Sequence, residues 1–379
     1  MKKCIFVSDS FKGTLSCLDI CNIARKTVPE FFPGCEVVAI PMADGGEGTV
    51  DCFIQALGAK SVTVDVSDPW GKRMNAEYAV YGGTAIIEMA SCAGLPLVGD
   101  KKDPSLTTTY GVGEQIVHAV KSGCNKIILG LGGSATNDGG CGAASALGVK
   151  FKNAEGKCFV PTGATLKDIQ SIDVTDALSL LRSVEVTVMC DVTNPLCGET
   201  GAARIFGPQK GADEDMIEML DSGLRHLAEI IHRCLGISVE TLPGAGAAGG
   251  MGAGCVAFFS ASLKSGIDTV LDLTNFNSAL MGADIVFTGE GRIDSQSVHG
   301  KVISGVAKRT SLRGVPLIAI VGKIDDSADC AYDAGVAAIF STNRAGLPFE
   351  ALKGRCADDY RKTLCDVLRL IRCAEHLST

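Results

Sequence analysis

Tryptophan occurs once in this chain of 379 residues, aromatic residues make up only 5%, and no run of basic residues is interleaved with them. With a formal charge of −8 and a pI near 5.3, this argues against a nucleic-acid partner. The 17 cysteines are odd in number and include no C-x-x-C pair, so neither a disulfide framework nor a thiolate zinc site is indicated. The expectation is a cytoplasmic protein whose cysteines are mostly reduced, buried, small apolar residues. The first apolar stretch, Cys4 to Val7, is too short for the core of a signal peptide and reads as a strand. Residues 241–263 carry no charge, but six glycines and a proline leave too little apolar surface for a membrane span, and the segment reads as a loop and a helix start. Three catalytic signatures are also absent: G-x-x-x-x-G-K-[ST], G-x-S-x-G and H-E-x-x-H. Their absence excludes a P-loop, a serine-hydrolase elbow and a metalloprotease helix.

What the chain has in excess is glycine, 46 residues, together with 46% hydrophobic residues and a mean hydropathy of +0.25. That hydropathy excludes disorder, so the glycines belong to structured loops. The length predicts about two domains, because single cores rarely grow beyond roughly 250–300 residues. Strand-like runs at Cys4–Val7, Glu36–Ile40, Lys126–Leu131, Asp284–Thr288, Leu317–Val321 and Ala337–Phe340 alternate mostly with helical patterns. This predicts a Rossmann-like, doubly wound parallel sheet built from 1–60, 103–140 and 277–379. Ser61–Val66, Asn75–Val80 and Thr84–Glu88 instead read as an antiparallel meander with a turn at Gly82-Gly83. With a strand at Glu185–Cys190 and an amphipathic helix marked by Ile217, Leu220, Leu224, Leu227 and Ile231, the meander forms a second, mixed α/β domain, 61–102 plus 141–276, inserted into the first. Ser16 and Asp19 are spaced as a capping box for the first helix.

Five glycine loops bear acids, and most follow directly on a strand, where α/β proteins bind ligands. Gly132, Gly133, Ser134, Ala135, Thr136, Asn137, Asp138 and Gly139 precede an alanine-rich helix and offer backbone donors and hydroxyls suited to phosphate oxygens. Gly130-Leu-Gly132-Gly-Ser-Ala135 also fits a dinucleotide fingerprint, but no acid follows at the expected distance; a capped turn with no ligand is the plainer alternative. Asp9 and Ser10 end the first strand, and Lys12, unfavourable beside a helix N-terminus, makes sense if an anion sits there. Asp44 and Glu47 suit a hydrated Mg²⁺ or a sugar-like hydroxyl, or a helix cap. Asp191 at a strand end suits a general base, while Asp191 to Asn194 equally suits an Asx turn. Glu290, Arg292 and Asp294, with Lys301 close behind, suit Mg²⁺ coordination and charge neutralisation, or an internal ion pair.

Six segments in order resemble the bacterial class I glycerate kinases across nearly the whole chain: Asp9 to Gly13, Pro41 to Thr49, Gly132 to Gly140, Cys190 to Pro195, Pro243 to Met251, and Phe287 to Asp294. The resemblance implies an ATP- and Mg²⁺-dependent kinase of D-glycerate with two α/β domains, giving 2-phosphoglycerate. The chemistry then distributes the roles. Asp191 accepts the hydroxyl proton; Lys12 and Arg292 stabilise the transferring group. Residues 132–139 and Lys301 hold phosphate, Asp9, Ser10, Lys12, Asp44, Glu47 and Asn194 hold the acid, and Glu290 and Asp294 hold the metal. An NAD-dependent hydroxy-acid dehydrogenase and a non-enzymatic sensor are the competing classes; only the kinase releases ADP when glycerate is added. No nucleic acid or membrane partner is expected, and assembly into a homo-oligomer is left open.

Overall fold

The computed structural model describes residues 1–11, 13–42, 48–295, 297 and 302–377. Lys12, Asp44, Glu47 and Lys301 lie outside them. The elements used below run, in chain order, β1 (Lys3–Ser8), α1 (Cys17–Phe31), β2 (Glu36–Pro41), β3 (Lys60–Ser67), β4 (Arg73–Tyr81), β5 (Thr84–Glu88), α2 (Tyr110–Lys121), β6 (Lys126–Gly130) and α3 (Cys141–Ala146). They continue with β7 (Glu185–Met189), α4 (Glu214–Leu235), α5 (Ala247–Phe259), β8 (Ser262–Lys264), β9 (Ile285–Gly289), α6 (Val302–Ser311), β10 (Leu317–Val321), β11 (Val336–Ser341) and α7 (Cys356–Leu377). Two compact units result. The first is Met1–Ala43 with Ile267–Thr379, and the second is Asp44–Gly266.

The first unit is a five-stranded, wholly parallel sheet in the order β11-β10-β9-β1-β2. Period-two alternation places Cys4 and Phe6 of β1 on a face packed with Ile20, Ala24 and Val28 of α1 and Leu364 and Leu368 of α7. Ile5 and Val7 point to the opposite face and are equally buried, as they must be when helices cover both sides of a parallel sheet. The start of α1 follows the expected reciprocal cap: the Ser16 hydroxyl accepts from Asp19 N at 3.1 Å, and the Asp19 carboxylate accepts from Ser16 N at 3.2 Å. From β1 the chain winds one way to β2 and, after the insertion, the other way to β9, β10 and β11. The gap between the loops that follow β1 and β9 is therefore a topological switch point.

The second unit is built on a six-stranded mixed sheet, β8-β7-β6-β5-β4-β3. β3, β4 and β5 are the expected antiparallel meander, and Gly82 and Gly83 make its turn at φ +54° and +78°. From β5 onward the pairing becomes parallel, with Thr84 opposite Lys126 and Glu185 opposite Lys126 on the other side. The helix expected around Leu220–Ile231 is α4, capped by Asp213, whose carboxylate accepts from Met216 N at 2.9 Å.

Residues 48–60 and 103–140, assigned to the parallel-sheet domain, lie in the second unit, residues 267–276, assigned to the inserted domain, lie in the first, and the chain leaves the first unit once rather than twice. A buried parallel strand looks the same whichever sheet it joins, and β6 is pulled into the mixed sheet by β5, whose five residues are all buried. All 17 cysteines are free thiols, among them the buried Cys4, Cys92, Cys141 and Cys255. Among the described residues no helix is long and apolar enough to cross a membrane.

Replacing Ser16 with alanine removes the hydroxyl that accepts from Asp19 N. The expected loss is about 1 kcal/mol of stability, read as a lower midpoint in urea denaturation followed by circular dichroism. An unchanged midpoint would remove the cap from the account of α1.

Candidate functional site

Each unit carries a cavity at the carboxyl ends of its parallel strands. In the first unit, a cavity of about 720 Å³ lies at the switch point. Asp9 and Ser10 reach it from the end of β1, Glu290, Gly291 and Arg292 from β9, Gly322 from β10, and Thr342 and Asn343 from β11. Phe11, Leu347, Phe349 and Leu352 make an apolar wall. Asp9 N donates to Gly289 O at 2.9 Å and Ser8 Oγ donates to the same oxygen at 3.0 Å, so the two strand ends that frame the cavity are bonded to each other. The Asp9 carboxylate accepts from Ser10 N at 2.7 Å and is fixed by its own turn.

Arg292 is half-exposed and engaged: Nη2 lies 2.6 Å from the Asp325 carboxylate and Nε 3.8 Å from that of Asp294. The guanidinium, with the Ser327 donors behind it, holds the Asp325 carboxyl below its ordinary pKa. Asp294, expected as a metal ligand beside Glu290, does not line the cavity. It accepts from Ser297 Oγ at 3.4 Å while its own N–H donates to that hydroxyl at 3.1 Å, closing a turn. Glu290 is 8% exposed and shares the cavity with Asp9. Among the described residues no group of three or more His, Cys, Asp or Glu stands ready to hold a metal ion. Mg²⁺ needs fewer, since it keeps several waters and takes one or two carboxylates alongside substrate phosphates. Asp9 and Glu290, hard oxygen donors on one cavity, meet that requirement better than Glu290 with Asp294.

In the second unit, a cavity of about 330 Å³ is lined by Gly132, Gly133 and Ser134 after β6, by Cys190, Asp191 and Val192 after β7, and by Gln209, Lys210, Ala247 and Ala248. Asp191 accepts from Gly266 N at 2.8 Å, which fixes one carboxylate oxygen at the strand end. Asn194, expected to contact the acid, is not on this cavity. Its Nδ2 donates to Thr200 O at 2.8 Å and its carbonyl accepts from Gly246 N at 3.0 Å, so its work is to shape the turn after β7.

The glycine loop divides in two. Gly132, Gly133 and Ser134 face the cavity, whereas Ala135, Thr136, Asn137, Asp138 and Gly139 lie buried beneath it. Asp138 is fully buried and accepts four hydrogen bonds: from Thr109 N at 2.8 Å, Thr109 Oγ1 at 2.9 Å, Gly140 N at 3.0 Å and Gly142 N at 3.2 Å. Burial raises its pKa above the ordinary carboxylate value, and the four donors oppose that rise. Its carboxylate therefore caps α2 and α3 instead of reaching a ligand. Behind it, Gly249 adopts φ +68°, and a Cβ there would lie 2.0 Å from Thr136 O, so only glycine allows α5 to approach the loop.

One residue on this cavity escaped the sequence reading. Lys210 is 2% exposed, and its Nζ donates to Ser134 Oγ at 2.8 Å and Thr136 O at 2.7 Å. Burial pushes its pKa down to about 7, with Asp138 pulling the other way. The only signal in the sequence is faint: a lone lysine between Gly207-Pro-Gln and Gly211-Ala, the glycines marking a tight turn.

Replacing Asp138 with alanine strands four donors in a buried site. The expected cost is about 3 kcal/mol or more, measured as a fall in thermal midpoint. A variant with wild-type stability would show that the loop does not hang on this carboxylate.

Comparison with known proteins completes the picture. The model described as the glycerate kinase family matches residues 4–372. The chain is 46% identical over 342 residues to a glycerate kinase of Bacillus cereus, covering 89% of this chain and 90% of that one. It is 44% identical over 356 residues to the glycerate 2-kinase of Escherichia coli K12, covering 93% of each. A crystal structure described as a candidate glycerate kinase 2 of Salmonella typhimurium LT2 superposes with a TM-score of 0.88 at 40% identity, over 99% of both chains.

Proposed function

The chain belongs to the glycerate kinase family, a nucleotide-dependent kinase by that membership, and from this premise we propose that it transfers the γ-phosphoryl group of ATP, with Mg²⁺, to a hydroxyl of D-glycerate, giving 2-phosphoglycerate. The choice of the 2-hydroxyl is supported by the likeness to the Escherichia coli glycerate 2-kinase. The observation that carries the chemical assignment is the cavity of the second unit. There a carboxylate fixed at the end of β7, Asp191, faces the same small space as the Gly132-Gly133-Ser134 turn at the end of β6.

Phosphoryl transfer asks little covalent chemistry of a protein, and catalysis is mainly positioning and charge neutralisation. A turn rich in glycine brings backbone N–H groups close to anionic oxygens, and Asp191 takes the proton from the acceptor hydroxyl as the oxygen attacks. The smaller cavity suits a three-carbon acid. The larger one in the first unit, with its apolar wall of Phe11, Leu347 and Phe349 opposite Asp9, Ser10 and Glu290, suits a nucleotide, whose base needs apolar cover and whose sugar needs hydrogen-bonding partners. Asp9 and Glu290 are the residues that would hold Mg²⁺, which when bound neutralises phosphate charge. Arg292, oriented by Asp325, supplies a fixed positive charge on the same cavity.

Asp191→Asn keeps the shape and removes the base. We expect kcat to fall ~10²-fold or more in an ADP-release assay with D-glycerate, with nucleotide affinity unchanged. Turnover close to that of the wild type would take Asp191 out of the role. Phosphorus NMR of the product tests the regiochemistry: a signal from 3-phosphoglycerate would overturn the 2-hydroxyl assignment.

A further inference from the structure

A lysine is seldom shut away from water, because a desolvated ammonium needs strong partners. Lys210 is 2% exposed, yet its two hydrogen bonds go to a hydroxyl and a backbone carbonyl, Ser134 Oγ and Thr136 O, neither carrying a charge. A neutral amine donates two hydrogens, and those two acceptors take both. An ammonium has a third, for which the described residues provide no acceptor. The side chain also lines the cavity of the second unit beside the Gly132-Gly133-Ser134 turn, so the missing acceptor has a place to come from.

We propose that Lys210 charges this cavity on demand: it takes up a proton from solvent when an anionic oxygen of a substrate, the carboxylate of glycerate or a phosphoryl oxygen of the nucleotide, enters beside it. The identity of that anion rests on the kinase reading above. The other titratable groups around it do not substitute for an incoming anion. Asp138 lies behind the loop with its carboxylate engaged by four donors, Asp191 is tethered to Gly266 N, and the Cys190 thiol is held up by burial. Lys102, packed against Gly211, is exposed. The benefit is economy of solvation. A permanent ammonium buried without a counter-ion costs folding free energy, whereas one formed together with its counter-ion is paired from the start.

The linkage has a definite sign. With burial holding the empty-state pKa near 7, an anion that raises it makes binding proton-coupled above neutral pH, so affinity falls as pH climbs from about 7 to 9. Isothermal titration calorimetry at pH 8, in two buffers of different ionisation enthalpy, measures the protons taken up on binding D-glycerate and, separately, on binding ATP. Uptake approaching one proton with D-glycerate assigns the carboxylate, and with ATP the phosphoryl group. Lys210→Arg, always charged, should bind with no proton uptake and a flatter pH dependence. Lys210→Met should lose affinity about 10- to 100-fold. If the methionine variant does not fold, the arginine variant alone decides. Binding heat without proton uptake in the wild type, or equal uptake in the arginine variant, overturns the proposal and leaves the kinase reading standing. No binding of either ligand overturns both.

Discussion

The second unit depends on one buried carboxylate. Asp138 gathers the N–H and hydroxyl of Thr109, at the start of α2, and the N–H groups of Gly140 and Gly142, at the start of α3. Helix starts are where backbone donors lack partners, so one side chain satisfies two helices and fixes the angle at which the glycine loop leaves β6. From that anchor follow the approach of α5 through Gly249, the placement of the Thr136 carbonyl, and through that carbonyl the position of the Lys210 amine. The turn that lines the cavity, Gly132 to Ser134, is the outer end of a buried scaffold. Substitutions at Asp138 and at Ser134 should therefore differ in kind, the first acting on folding and the second on what the cavity holds.

The two cavities follow one construction rule in different sheets. In the wholly parallel sheet, the switch point between β1 and β9 opens a crevice by topology alone, and its lining residues come from four strand ends. In the mixed sheet there is no such reversal, and the cavity is made by loops after two adjacent parallel strands, β6 and β7, with a one-turn segment at Pro208–Lys210 completing it. The contents differ accordingly. One is broad with an apolar wall, the other small and furnished with backbone, a carboxylate and an amine. On the proposed reading, the broad space with its apolar wall takes the nucleotide and the small polar one the three-carbon acid.

Much of the fold was legible in the sequence because local chemistry and global structure agree at those places. Ser16 and Asp19 could be read as a cap, the meander at 60–88 as antiparallel, and α4 as an amphipathic helix. Which sheet β6 joins was not legible: strand character is local, but sheet membership is decided by which buried neighbour pairs with it. The candidate site was half-legible for a related reason. Loop position placed Asp9, Glu290, Gly132 and Asp191 at strand ends, where they line the cavities, but whether a side chain turns outward or inward is set by packing, and Thr136, Asn137 and Asp138 turn inward. Lys210 left only the faint mark of its flanking glycines, because a lysine's usual place is the surface and three-dimensional enclosure is what tells this one apart.

The pairing of β1 carries a consequence for how the chain is made. β1 stands between β2 and β9, and the hydroxyl of Ser8 bonds Gly289, 281 positions later. During synthesis the first two strands leave the ribosome with their partner still untranslated, and an entire second unit of local contacts is produced before it arrives. That unit is free to fold on its own schedule, while an unpaired edge of β1 waits. β1 thus needs protection from wrong partners until β9 is made, and that interval lengthens with every residue added to the insertion.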